Sequence, residues 1–328
     1  MPYFASHPAR QVFSRAWLPL SITLAAFGPA HVTAQSSALP PTAEAPVALA
    51  PITVTADRRD AATTESSGSY TTRAMNTATR MNLSVRETPQ SVSVVSRQII
   101  DDFGLESITD VVNLVNGVSA KSLDSSRSGF SARGFDITNL QIDGVATTWS
   151  PGWTAGETVM DTAIYDRIEV VRGASGLIAG AGNPAAAINL VRKRADSQTL
   201  TGHTRFSAGS WDRYEGTADV SSALNDAGTV RGRVVGSYRD EGSFVDFAGN
   251  RKQVLYGTLA IDLTPNTLWN LGASYQDNDP QASTWGGLPA WYSDGTRTDW
   301  SRSKTTAADW TRWSSVNTTY FTNLEHTF

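Results

Sequence analysis

From residue 200 onward, apolar and polar positions alternate. Leu200, Gly202, Thr204, Phe206 and Ala208 fall on one side of an extended segment; Thr201, His203, Arg205 and Ser207 fall on the other. The same two-residue period sets Tyr214, Gly216, Ala218 and Val220 against Arg213, Glu215, Thr217 and Asp219. It continues with Val230, Gly232, Val234, Gly236 and Tyr238 against Arg231, Arg233 and Arg239, then Leu255 to Leu263 against Tyr256, Thr258 and Asp262. Trp269, Leu271, Ala273 and Tyr275 oppose Asn270, Ser274 and Gln276, and a last strand is predicted near residues 313–324. Successive strands with one apolar and one polar face are the pattern of a transmembrane barrel, lipid outside and a wet lumen inside. A soluble sandwich is the alternative on alternation alone. The connections separate the two. NDAG (225–228) and TPN (264–266) read as tight turns, whereas 240–252 and 277–312 read as long loops. Short turns at one end and long loops at the other are the layout of an outer-membrane barrel, with the long loops outside.

The preceding region, 81–195, is mixed. QSVSVV (90–95) alternates as a strand. ITDVVNLVN (108–116) has apolar residues at helical spacing, and Gly117 follows as a stop. ARGFDITNLQIDGVA (132–146) reads as two short strands around a turn, and 161–171 as a turn or short helix running into the strand RIEVV. Between two strands lies VVRGASGLIAGAGNPAAAINLVRKR (170–194), rich in Gly and Ala. Such a run is either a phosphate-cradling loop or a segment that packs closely inside something else. GAGNPA (180–185) matches the dinucleotide pattern G-x-G-x-x-G/A. However, Pro184 stands where the helix should open, AINLV follows as a strand, and no acid lies about 20 residues on.

Upstream, 35–80 is Ala/Pro/Thr/Ser-rich and reads as a flexible arm. One β-prone island interrupts it: Pro51, Ile52, Thr53, Val54, Thr55 and Ala56. A lone strand does not offset its own ordering entropy, but a partner sheet can accept it at an edge. The first 34 residues form a targeting segment. Arg10 and Arg15 precede a short apolar run, and VTA (32–34) offers a cleavage site. That run is shorter than the roughly 20 residues a spanning helix needs, so a membrane location implies a barrel.

Composition supports this reading. Charged residues make up 18 % of the chain, below the usual quarter, and the ten tryptophans suit the aromatic girdles of a barrel. A net charge of −4 gives no sign of a nucleic-acid partner, and the absence of cysteine excludes disulfides and thiolate metal sites. No G-x-S-x-G, H-E-x-x-H or Walker A lysine occurs, and SRSK (301–304) sits in a polar loop. Only His203 and His326 follow the targeting segment, too few for a His-rich metal site. Neither a catalytic nor a metal-ligating set is expected.

Four stretches resemble the TonB-dependent siderophore receptors of bacterial outer membranes. They are RETPQSVSVVS (86–96), SARGFDITNLQIDGV (131–145), YDRIEVVRGASGLIAGAGNPAAAINLVRKR (165–194) and STWGGLPAWYSDGT (283–296), the last most similar to ferric-coprogen and ferric-pyoverdine receptors. The resemblance implies a signal peptide (1–34), an arm (35–80) with a TonB box at 51–56, an α+β plug domain (81–195), and antiparallel transmembrane β-barrel strands (196–328). It implies uptake of a ferric siderophore, driven by TonB with ExbB and ExbD in a Gram-negative outer membrane. Iron enters as the chelate, with no resident cofactor. Another cargo (haem, cobalamin or a sugar) and a non-transporting plug-like module remain alternatives. Such receptors close with about 22 strands, whereas roughly six fit here, so the expectation is the N-terminal part of a longer receptor: a truncated barrel. The small residues of 170–194 then let the plug backbone approach its surroundings.

In that frame Trp149 and Trp153 of the plug and Trp285 and Trp291 of the last long loop are expected to form an aromatic cup for the siderophore; the alternative places Trp285 and Trp291 in the membrane-interface girdle. Coprogen-type relatives carry an arginine just before the Trp153 position; here it is Gly152, and Arg127 is the expected substitute. Glu169, Arg172 and Arg194 are expected to pair with lumen-facing barrel charges. For the arm, Ile52→Pro removes a backbone donor and bends the strand, so in the complete receptor it should abolish uptake and leave siderophore binding intact. Parallel measurement of surface binding and uptake checks this; equal loss of both removes the assignment.

Overall fold

The structure, a computed structural model, describes residues 62–173 and 184–328. The targeting segment, residues 51–56 and the Gly-rich stretch 174–183 lie outside these. The described plug contains strands β1 (Ser91–Val95), β2 (Val118–Ser122), β3 (Ser128–Ala132), β4 (Phe135–Asp136), β5 (Asn139–Ile142), β6 (Val145–Ala146), β7 (Tyr165–Arg172) and β8 (Ala186–Arg192). Two short helices, α1 (Arg97–Asp102) and α2 (Ile108–Leu114), lie between β1 and β2. The main sheet has the order β1-β7-β8-β5-β6, with β5 and β8 parallel and the other pairs antiparallel. β2, β3 and β4 make a second, small sheet.

Local chemistry sets these elements. Ser107 and Asp110 close a capping box at the start of α2, which buries Ile108, Val111 and Val112. Gly117, at φ +75°, lets the chain leave the helix. β7 lies between β1 and β8 in the main sheet. Ile168 and Val170 join a core with Ile100, Leu140, Ile188 and Leu190. Ala185, Ala186 and Ala187 are buried, so the small residues at the described end of 170–194 do pack closely. β2, β3 and α1 are the elements that periodicity missed: each is only five or six residues long.

Residues 62–80, expected within a flexible arm, are instead packed against the plug. Met75 and Ala78 are buried with Val171, and Thr64 donates to the Asp166 carboxylate. Short polar residues that read as disorder serve here as hydrogen-bonding groups for a buried charge on β7.

The second part is an antiparallel meander of β9 (Thr201–Gly209), β10 (Arg213–Ala223), β11 (Val230–Gly242), β12 (Gly249–Thr264), β13 (Thr267–Gln281) and β14 (Ser315–His326), paired in sequence order. The two expected tight turns are the connections 224–229 and 265–266, and the loop expected at 277–312 is 282–314, because β13 runs on to Gln281. Residues 240–252 are not a long loop, however. β11 and β12 run on through Asp240↔Arg251, leaving a connection of 243–248. Cross-strand pairing continued through charged residues that the alternation pattern could not count as strand.

Register places Val220, Val234, Gly257 and Ala273 in one outward row, and Ala218, Gly236, Leu255 and Tyr275 in the next. Phe206, Val234, Leu255 and Tyr320 on this face are exposed, whereas Asp219, Arg231, Arg239, Lys252, Thr258 and Gln276 on the other are buried against the plug. Apolar outside and polar inside is the arrangement for lipid on one side and a filled lumen on the other. Among the described residues no helix is long and apolar enough to cross a membrane, which says nothing of a barrel. In the complete receptor, Val234→Arg, in the middle of the lipid face, should lower stability by about 2–4 kcal/mol. Asp226→Arg, in the 224–229 turn, should change it by less than about 0.5 kcal/mol. The urea midpoint of the heat-modifiable form measures both.

Candidate functional site

One end of the plug meets both ends of the loop 282–314. A tight turn after β2 begins it. Asp124 Oδ1 accepts the backbone N–H groups of Ser126 (3.0 Å) and Arg127 (2.9 Å), and Leu123 N–H donates to the Arg127 carbonyl (2.9 Å). The same carboxylate grips the Arg127 guanidinium at 2.7 Å from Nε and 2.6 Å from Nη2. Arg127 Nη1 donates to the carbonyl of Gly152. Its guanidinium carbon then lies 4.3 Å from the ring centre of Trp285 and 5.0 Å from that of Trp313. The two indoles stack at 4.8 Å with planes 12° apart. Cation–π contact and an ion pair in which two N–H groups share one carboxylate oxygen thus fix one side chain from several directions.

Backbone contacts close the junction. Ser125 Oγ accepts from Thr284 N–H (3.0 Å), and Ser126 Oγ donates to the Trp313 carbonyl (3.3 Å). Gly156 N–H donates to the Ser126 carbonyl at 3.2 Å. Gly156 has φ +98°, and a Cβ there would collide with Ser315 Oγ and stand 2.7 Å from Ser315 Cβ. Only glycine permits this approach of plug to wall. Beside it, burial pushes the Glu157 carboxyl above its ordinary range, partly opposed by its backbone and the Thr154 hydroxyl.

Of the expected cup residues, Trp285 and Arg127 come together. Trp153 is 86 % exposed on the same apical turn, next to the Gly152 carbonyl that Arg127 holds. Trp149 does not join them. It is 5 % exposed, in the plug core, with its ring 5.6 Å from Phe130. Two tryptophans four residues apart in a turn point opposite ways, one to the core and one to solvent. Trp291 sits in a hairpin of its own, closed by Tyr292 N–H to Thr296 carbonyl (2.8 Å) and Thr298 N–H to Ala290 carbonyl (3.1 Å). Within it, two hydrogen bonds from Thr296 hold the Asp294 carboxyl below its usual range. Trp313 was missed. Its signal is the pairing itself: Trp285 and Trp313 flank the Gln281↔Arg312 bridge at the base of the loop, so closing the hairpin brings them together.

The expected plug–wall charges also need correction. Arg194 does pair with Glu325 of β14 (3.0 Å). Glu169 does not reach the wall: it is fully buried, bound to Arg167 (2.7 Å) and Thr77. Arg172 donates within the plug, to the hydroxyls of Ser91 (3.1 Å) and Ser93 (2.9 Å) and the carbonyl of Asn116 (3.1 Å). The seat is built from other groups. Lys193 binds Asp219 (2.8 Å), Arg239 binds Glu106 (3.0 Å), and Arg213 also binds Glu106. Tyr256 donates to the Lys193 carbonyl (2.6 Å), Lys252 to the Val159 carbonyl (2.8 Å), and Asp161 N–H to Gln276 (2.8 Å).

Residues 84–187 match the family model of the TonB-dependent receptor plug domain. The chain is 48% identical over 267 residues to the ferripyoverdine receptor of Pseudomonas aeruginosa, covering 81% of this chain and 33% of that protein. It is 40% identical to the ferric-pyoverdine BN7/BN8 receptor of Pseudomonas putida, covering 80% and 32%. The crystal structure of the Pseudomonas aeruginosa outer-membrane receptor bound to ferripyoverdine matches with a TM-score of 0.78 at 48% identity, over 82% of this chain and 36% of that one. The alcaligin outer-membrane receptor of Bordetella pertussis matches with a TM-score of 0.67 at 40% identity, over 81% and 41%. The chain therefore spans about a third of the length of the curated relatives it matches. The relatives are receptors of Gram-negative outer membranes, in a family of transporters rather than enzymes.

The two plug tryptophans should separate in a stability measurement. Trp149→Ala should destabilise the plug by about 3–5 kcal/mol, as loss of a buried large ring does. Trp153→Ala, on the exposed turn, should change it by less than about 0.5 kcal/mol. Denaturant unfolding of the complete receptor, followed through plug proteolysis, measures the difference.

Proposed function

We propose that this chain, a TonB-dependent receptor plug with the first strands of its wall, belongs to an outer-membrane transporter that takes up a ferric siderophore. The observation that carries this reading is the apical junction. The plug turn and the outer loop meet at a cation, Arg127, and two stacked indoles, with Trp153 exposed beside them. Rigid aromatic faces give a large chelate contact area at low entropic cost, and a fixed guanidinium gives it orientation. Iron is cargo, held by its siderophore; the protein supplies surface and charge, and no resident cofactor takes part. Arg127 takes the role of an arginine before Trp153. Gly152, at φ +81°, occupies that position in a backbone conformation that an arginine side chain disfavours.

In this reading the targeting segment is removed on export, and the arm presents residues 51–56 to TonB as an added strand. TonB, energised by ExbB and ExbD, then acts on the plug from the end opposite the junction. The wall's outward face, with Val234, Leu255 and Tyr275, supports placement among lipids.

Titration of the complete receptor with ferripyoverdine, read by tryptophan quenching, tests the site. Trp285→Ala, Trp313→Ala, Trp153→Ala and Arg127→Ala should each weaken binding at least tenfold, about 1.4 kcal/mol. Unchanged affinity in all four, with normal surface expression, overturns the site. In a receptor-deleted strain, growth on haem but on no ferric siderophore points to another cargo. Binding without uptake points to a non-transporting module.

A further inference from the structure

A cavity of about 720 Å³ lies between plug and wall at the end where the strands join by tight turns. Asn270, which lines it, is three residues past the start of β13. Gln281, at the base of the apical loop, is eleven residues further along the same strand, roughly 35 Å away. Two side chains lining this cavity carry a buried donor that no described residue accepts. Arg192 and Asn270 are each 8 % exposed, and Arg192 Nη1 and Asn270 Nδ2 have no hydrogen-bond partner. A buried N–H left unmade is costly, and folded proteins keep few of them.

The rest of the Arg192 side chain is firmly placed. Asp143 Oδ2 accepts from Nε at 2.7 Å, and Asp143 Oδ1 accepts the Arg192 backbone N–H at 2.9 Å. The guanidinium carbon stands 3.5 Å from the ring centre of Phe321, which stacks on Tyr256 at 6.2 Å with planes 11° apart. The ring fixes the plane of the guanidinium and Asp143 fixes its Nε edge, which leaves Nη1 as a fixed donor. Asn270 borders the same ring from the wall. Gly272, the next inward residue of β13, faces Phe321, and a Cβ there would stand 2.5 Å from the ring. Asn323, opposite Asn270, gives its own amide N–H to Glu325 (3.3 Å), and Ala260, opposite it on β12, has no polar side chain.

Charge points the same way as the donors. Basic side chains along the cavity outnumber acids, five to two. Arg167 and Lys193 are balanced from behind by Asp166, Glu169 and Asp219, and Arg194 by Glu325. Asp143 balances Arg192, and Arg80, exposed on the cavity, leaves it net positive. A water molecule brings hydrogens that need acceptors of their own. An oxyanion brings acceptors only and gains from the charge.

We propose that Arg192 of the plug and Asn270 of the wall form a site for a small oxyanion, a phosphate or a carboxylate group, seated beside the Phe321 ring. Arg192 belongs to β8 and Asn270 to β13, so the bound group ties plug to wall from inside. It fills a small part of the cavity, and the remainder takes water or the body of a larger acid. The site stands apart from the cargo proposed above, because its occupancy is measured with no siderophore present.

Equilibrium dialysis of the complete receptor in detergent against radiolabelled inorganic phosphate, with ionic strength held by chloride, tests this. One saturable site is expected. Asn270→Asp, which sets a like charge against the ion, should weaken it at least tenfold while the heat-modifiable form persists. Arg192→Gln should do the same. If it does not fold, Arg192→Lys replaces it: the charge facing Asp143 stays, Nη1 is lost, and the same tenfold loss is expected. Displacement of phosphate by acetate extends the site to carboxylates. Uptake of ferripyoverdine by Asn270→Asp then separates the sources. Unchanged uptake marks a free ion, and a tenfold fall at unchanged ferripyoverdine binding marks a carboxylate carried by the cargo. Absence of saturable binding of phosphate or acetate, displacement by chloride at equal concentration, or phosphate binding that Asn270→Asp leaves unchanged overturns the site.

Discussion

A sheet that turns its apolar face outward has to satisfy a polar face inward, and most of what this chain does structurally follows from that. Arg239, Lys252, Asp219 and Gln276 cannot be left dry and unpaired beneath the wall. The plug answers them with Glu106, a carbonyl at Val159, Lys193 and the N–H of Asp161. These contacts are many, polar and individually replaceable by water, which suits a seat that holds orientation more than it holds on. The apolar core centres on the plug's Ile168, Ile188, Leu140 and Val112, and Val235, Val254 and Tyr256 of the wall join the same cluster.

The parts of the fold that follow a period were legible in the sequence. The outward rows of β10 to β13 were readable because a two-residue alternation over ten or more residues has few other meanings, and α2 because its apolar residues fall at helical spacing and Gly117 follows as a stop. What stayed hidden depends on partners distant in sequence. Residues 62–80 have the composition of a linker, and only the buried carboxylates a hundred residues on make structure of them. The ends of β11 and β12 carry Arg239, Asp240, Arg251 and Lys252, which suggest a loop until the facing strand supplies hydrogen bonds. Glu169 and Arg172 looked like lumen charges because alternation alone does not say which face of a fully buried strand meets what.

The apical junction shows the same division. Arg127 and Trp285 were identifiable as the residue types such a site uses, and the structure puts them 4.3 Å apart. Trp149 carried the same chemical label as Trp153 but belongs to the core, and Trp313 was visible only once the base of its hairpin closed. Residue type narrows the candidates; register and turn geometry choose among them.

Arg127 holds the neighbouring turn through the main-chain oxygen of Gly152, not through a side chain. Every residue has that oxygen. The sequence around the apical turn can therefore drift, by substitution at Trp153 or Thr154 or in the hairpin at 290–298, while the clasp between plug and outer loop survives. A receptor built this way can diversify what it recognises in small steps, because the residues that vary are not the ones that keep the apex assembled.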